Sequence, residues 1–221
     1  MGCHYLKDCV KFRAMAMALK RKLTSFYERL LQKHGKQGWW PLLSIGYHKG
    51  DYSIPRNAKE AYEICVGAIL TQNTSWKNVE KALIKMDEVG LLDKKAILNA
   101  SNEEIENAIR ATGYYRQKAR KLKEFTTFLQ NNRGELTRDS LLGVWGIGEE
   151  TADSIMLYAY KKAEFVVDSY TRRIMGEREG MFNSKMSYSS IKKLIEENLD
   201  KDYRLFQEYH ALIVAEGKEQ R

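Results

Sequence analysis

The chain has 221 residues, 43% hydrophobic and 30% charged, which allows one large domain or two small ones and excludes a disordered chain. Its net charge of +8 suits a polyanionic partner, because each Lys or Arg that meets a phosphate releases a counterion, although simple solubility would produce the same excess. No apolar run approaches the roughly 18 residues of a membrane span, Leu6 stands where a myristoylation signal needs Ser or Thr, and Cys3, Cys9 and Cys65 are too few for a disulfide framework or a four-thiolate metal site.

In chain order, residues 1–35 read as an amphipathic basic helix, with Lys20, Arg21, Lys22 and Arg29 set among Leu19, Leu23, Phe26, Leu30 and Leu31. Such a helix either tracks a phosphate backbone or presents a solvated face over a packed one. Lys7, Asp8, Lys11 and Arg13 interrupt any leader. Trp39–Trp40–Pro41 follows, and Pro41 and Pro55 are the only prolines. Tyr62, Cys65, Val66 and Ile69 keep helical spacing, as do Ala152, Ile155, Met156 and Ala159. Ser101 and Glu104 form a capping box ahead of Ile105 and Ile109, and Thr137 and Ser187 are further N-caps. Phe165–Val167 is the only short β-prone run, so the spacing predicts an all-α fold of about ten helices without repeats.

The most informative stretch runs from Leu141 to Arg173. Gly146–Ile147–Gly148 separates a helix ending near Leu142 from one starting near Glu149. Glycines around one apolar residue permit a tight hairpin with Ile147 as its plug, and the second helix begins with free N–H groups that suit a phosphate. Alone, the tripeptide fits any helix–helix turn. Further on, the Phe165–Val167 plug delivers Asp168, followed by Ser169, a good N-cap, and by Arg172–Arg173. Read in isolation, Asp168 is either a helix cap alone or a functional carboxylate.

This hairpin, the helix after it and Asp168, eighteen residues beyond Glu150, resemble the helix-hairpin-helix DNA glycosylases of the endonuclease III superfamily. The resemblance covers roughly residues 55–215. Val66–Thr74 is similar to the segment that puts a polar side chain, here Gln72, into the gap left by a flipped base. Gly113–Ala119 resembles the second wedge loop, with Tyr114 at its tip, and Tyr209–Val214 the last core helix. The resemblance implies a two-domain all-α fold with a DNA-binding cleft between the domains: a six-helix domain over 52–162 that carries the hairpin, and a second over 1–51 plus 163–221. It also implies a monomer on double-stranded DNA, away from membranes, in the cytoplasm with the nucleoid.

Two departures refine what is implied. Bifunctional members carry a lysine where this chain has Glu150, which cannot serve as an amine nucleophile. Many relatives end in four cysteines that bind an iron–sulfur cluster, whereas here no cysteine follows Cys65, so no cluster and no other cofactor is expected. Together with Trp39–Trp40–Pro41 and Tyr62, these features resemble the 3-methyladenine DNA glycosylases of the superfamily, the alternatives being a glycosylase for uracil, mismatched thymine or an oxidised base, or a non-enzymatic helix-hairpin-helix DNA-binding protein. Stacked aromatics suit a cationic methylated purine, although Trp39 and Trp40 equally fit a core cover. A lysine that some relatives bring into the base pocket aligns with Leu212. The implied site is Asp168 as catalytic carboxylate; Trp39, Trp40 and Tyr62 around the base; Gln72 and Tyr114 as wedges. Gly146, Gly148, Lys118, Arg120 and Lys121 would lie on the DNA backbone, with a monovalent cation on the Leu142, Val144 and Ile147 carbonyls.

Overall fold

The computed structural model describes residues 2–219, with side chains from residue 17 onward. The expectations for Leu6, Cys3 and Cys9 therefore lie outside the described side chains. Among the described residues the chain is helical, with an isolated β-bridge between Leu42 and Gly46. It divides into two compact units: Trp39–Lys162, and Met1–Gly38 with Ala163–Arg221. Among the described residues no helix is long and apolar enough to cross a membrane.

The central unit holds α2 (Ala58–Leu70), α3 (Trp76–Glu88), α4 (Lys94–Asn99), α5 (Asn102–Ile109), α6 (Tyr115–Asn131), α7 (Arg138–Leu142) and α8 (Glu149–Ser154). The chain continues past α8 as a π-helical turn, Ile155–Ala159. Helix α2 is the hub: every residue from Tyr62 to Leu70 is buried, the charged Glu63 included, so the apolar stripe expected there is a helix buried on all sides. The capping box of Ser101 and Glu104 forms at α5, and Thr137 forms another with Ser140 at α7.

Residues 39–51, assigned by sequence to the terminal domain, belong to the central unit. Trp40 lies so close to α2 that a Cβ on Gly67 would sit 2.9 Å from its indole nitrogen. This explains a glycine in mid-helix, where it costs about 1 kcal/mol against alanine. The Leu43 N–H donates to the buried Glu63 carboxylate at 2.7 Å.

The terminal unit holds α1 (Gly2–His34), α9 (Ser169–Thr171) running into a π-helical segment (Arg172–Arg178), α10 (Tyr188–Glu196) and α11 (Tyr203–Glu219). Leu23, Phe26 and Leu30 bury one face of α1, and the Tyr209 hydroxyl donates to Leu23 O at 2.8 Å. Arg29 pairs with Glu179 at 2.7 Å, and Lys22 donates to Glu179 O. Lys33 and Arg178 each reach the buried Glu216 at 2.7 Å. Burial pushes Glu216 up, but Lys33, His34 and Arg178 outweigh it and hold the carboxyl at about 2. These contacts favour a solvated face over a packed one for the described part of α1.

The β-prone run Phe165–Val167 forms no strand. Two of its amides donate to side chains: Phe165 N–H to the Glu196 carboxylate at 2.7 Å, and Val167 N–H to the Tyr188 hydroxyl at 3.3 Å. The run is buried as a plug, the Phe165 ring edge-on to Phe206 and Tyr209.

Candidate functional site

In the central unit α7 and α8 enclose the hairpin. Val144 N–H donates to Leu141 O at 3.0 Å and Ile147 N–H to Val144 O at 3.1 Å, while Ile147 is buried as the expected plug. Gly146 has φ +84°, and a Cβ there would meet the Lys121 side chain at 2.6 Å, so only glycine fits. Gly148 differs: its φ is −94°, and an added Cβ would meet nothing. It caps α8 without a side-chain hydrogen bond, as a glycine must.

Arg120 and Lys121 flank this hairpin. The Arg120 guanidinium lies 3.9 Å from the ring centre of Trp145, which is 46% exposed. Arg116, Arg120, Lys121, Trp145 and Gly146 border a cavity of about 540 Å³. Burial lowers the Lys121 pKa, and its ammonium bonds Gln72 Oε1. Gln72, expected as a wedge, also donates through Nε2 to Gly146 O at 3.2 Å and Thr151 Oγ1 at 2.9 Å. It is thus tied to the hairpin. Tyr114 is 68% exposed at φ +47°, at the start of α6.

Three expected contacts are corrected by burial. Lys118, assigned to the DNA backbone, is only 2% exposed, and its Nζ donates to Leu70 O and Thr112 O at 2.9 and 2.8 Å. Burial lowers its pKa to about 8. Tyr62, assigned to the base pocket, is a core residue whose hydroxyl bonds Thr126 at 2.7 Å, and burial pushes its pKa up. Trp40 is buried too, edge-on to Trp39, Trp76 and Tyr158, with no open face for a base. Trp39 remains half-buried, with Tyr47 and Trp76 at 5.8 and 5.3 Å between ring centres. Trp76 follows directly on Ser75, the N-cap of α3. Neither Tyr47 nor Trp76 was singled out by spacing.

Glu150 is exposed in the first turn of α8. Of the expected cation-binding carbonyls, that of Val144 already accepts the Ile147 N–H, which leaves one lone pair.

In the terminal unit, Asp168 itself caps α9, one residue ahead of the expected Ser169. Its Oδ1 accepts from Thr171 N at 2.7 Å and Thr171 Oγ1 at 2.9 Å. Its Oδ2 faces His210 Nε2 of α11 at 3.4 Å. Burial pushes the Asp168 carboxyl up, but His210 and Thr171 together outweigh it, so it stays below the usual carboxylate range. His210 lies in the stretch resembling a core helix, yet only the folded chain brings it to Asp168. Leu212 is fully buried.

The family model of the HhH-GPD superfamily base excision DNA repair proteins matches residues 66–201. A Methanocaldococcus jannaschii protein named "Putative DNA repair glycosylase MJ1434" is 42% identical over 204 residues, 87% of this chain and 85% of its own length. Endonuclease III of Thermotoga maritima is 31% identical over 66% of this chain and 71% of its own. Among solved structures, H. pylori 3-methyladenine DNA glycosylase (MagIII) bound to 1,N6-ethenoadenine superposes with a TM-score of 0.71 at 25% identity, covering 94% of this chain and 98% of that one.

Proposed function

We propose that this chain, which belongs to the HhH-GPD superfamily of base excision DNA repair proteins, is a monofunctional glycosylase that hydrolyses the N-glycosidic bond of alkylated purines such as 3-methyladenine in duplex DNA. The observation that carries this reading is Asp168: a largely buried carboxylate kept ionised, one oxygen committed to its helix cap and the other left toward His210. Cleavage of a glycosidic bond passes through an oxocarbenium-like state with positive charge on the sugar. Asp168 stabilises that charge and orients or deprotonates the attacking water. His210 favours the anionic form that this role needs.

Glu150 provides no amine for a Schiff base, so water is the nucleophile and the strand is left intact at an abasic site. A methylated purine is already cationic and departs without a strong general acid. Trp39, with Tyr47 and Trp76 beside it, supplies the aromatic surface for that cation. The similarity to the H. pylori 3-methyladenine DNA glycosylase supports the same substrate class. The hairpin, Arg120 and Lys121 bind the phosphate backbone. The carbonyls of Leu142, Val144 and Ile147 would hold a monovalent cation, which supplies positive charge toward a phosphate. The enzyme acts as a monomer with the cytoplasmic nucleoid.

The test is release of free base from matched duplexes containing 3-methyladenine, 7-methylguanine, uracil or 8-oxoguanine. Release of the methylated purines should dominate. Much faster release of uracil or 8-oxoguanine would replace this reading with that of a glycosylase for deaminated or oxidised bases.

A further inference from the structure

Lys118 is withdrawn from the DNA surface, and the cost of burying an ammonium asks what the protein gains by it. A methionine would fill the same volume without desolvation. The two acceptors answer the question. Leu70 closes α2 just ahead of Thr71–Gln72–Asn73, and Thr112 stands just ahead of Gly113–Tyr114. One ammonium thus joins the roots of two loops that lie more than forty residues apart in sequence.

Each loop enters the left-handed region within three residues of the bonded carbonyl. Asn73 and Tyr114 hold positive φ values of 52° and 47°, a conformation that asparagine tolerates but that tyrosine keeps only when the surroundings enforce it. Thr112 is itself fixed, its hydroxyl donating to Ile109 O at 2.8 Å. From the neighbouring turn of α6, Lys121 adds its bond to Gln72. The supports of both loop tips therefore originate in one helix.

We infer that Lys118 is a positioning residue: it sets Gln72 and Tyr114 at a common spacing, so that both enter the gap a displaced nucleotide leaves in duplex DNA. This rests on the reading of Gln72 and Tyr114 as wedges. The bonds are donated to main-chain oxygens, so the loop roots are held whichever side chains the tips carry.

The test compares affinity for a duplex holding a tetrahydrofuran abasic-site analogue with affinity for the same undamaged duplex. Wedges fill the gap only in the first, so the ratio reports their placement and needs no lesion. Lys118→Met should lower the ratio by about tenfold, since two charge-assisted bonds are lost, and Tyr114→Ala should lower it as well. An unchanged ratio in Lys118→Met, or equal loss of both affinities, overturns the positioning role. If Tyr114→Ala and Gln72→Ala both keep the wild-type ratio, the wedge reading fails and takes the inference with it. Should Lys118→Met not fold, Lys118→Gln takes its place. In the wild-type chain, amide hydrogen exchange over 71–74 and 112–115 should then be slowed together, and unprotected loops would overturn the proposal.

Discussion

Helices α8 and α9 both begin at positions the sequence marks as functional, and they are capped in opposite ways. Gly148 opens α8 with no side-chain acceptor and with space where a Cβ would stand. Asp168 closes α9 with its own carboxylate, bonded to the Thr171 amide and hydroxyl. An uncapped start leaves N–H groups for an anion from outside, whereas a capped start spends them on fixing a side chain. The first arrangement suits phosphate binding, and the second holds a charge ready for chemistry.

This contrast can be broken by exchanging what each start lacks. Asp168→Asn keeps a good cap, since Asn and Asp are equivalent there, but removes the charge. Excision should fall at least about a hundredfold, the scale of losing a preorganised electrostatic group, while duplex affinity survives. Gly148→Asp does the reverse. It gives α8 a favoured cap, so thermal stability should hold or rise, while the carboxylate repels phosphate and weakens all duplexes by about tenfold, more at low salt. If Asp168→Asn lost binding and excision together, or Gly148→Asp bound normally, the division of labour between the two helix starts would be wrong.

A smaller effect separates the aromatic residues. Trp39→Ala should reduce excision of a cationic base by about two- to thirtyfold, from a contact worth roughly 0.5–2 kcal/mol. Tyr62→Phe removes the bond to Thr126 and should cost about 1 kcal/mol of stability, readable in urea melts, with excision within about twofold of wild type. A large excision defect in Tyr62→Phe would return that residue to the base pocket.

Much of this was legible in the sequence because local chemistry carries it. Capping boxes, the glycine pair with its Ile147 plug, and the Phe165–Asp168 element depend on near neighbours in the chain. Lys118 was misplaced although its signal was present: it shares the i, i+4, i+7 stripe of Leu122 and Phe125 and therefore faces the core. Arg120 lies off that stripe and the half-buried Lys121 at its edge, and both remain at the hairpin. Tyr62 was misread because stripe logic fails on a helix buried all round. The assignment of 39–51 turned on Trp40 meeting Gly67, and the environment of Asp168 on His210, both tertiary contacts that no local pattern encodes.

Hydrolysis at Asp168 without an amine nucleophile predicts that borohydride traps no covalent intermediate. The wild-type enzyme is incubated with duplex DNA carrying a single abasic site, with and without borohydride, and the strands are resolved under denaturing conditions. An unbroken abasic strand and no covalent adduct above background is the predicted result. Efficient trapping or strand cleavage would show that one of the lysines attacks the sugar, and would contradict the monofunctional account.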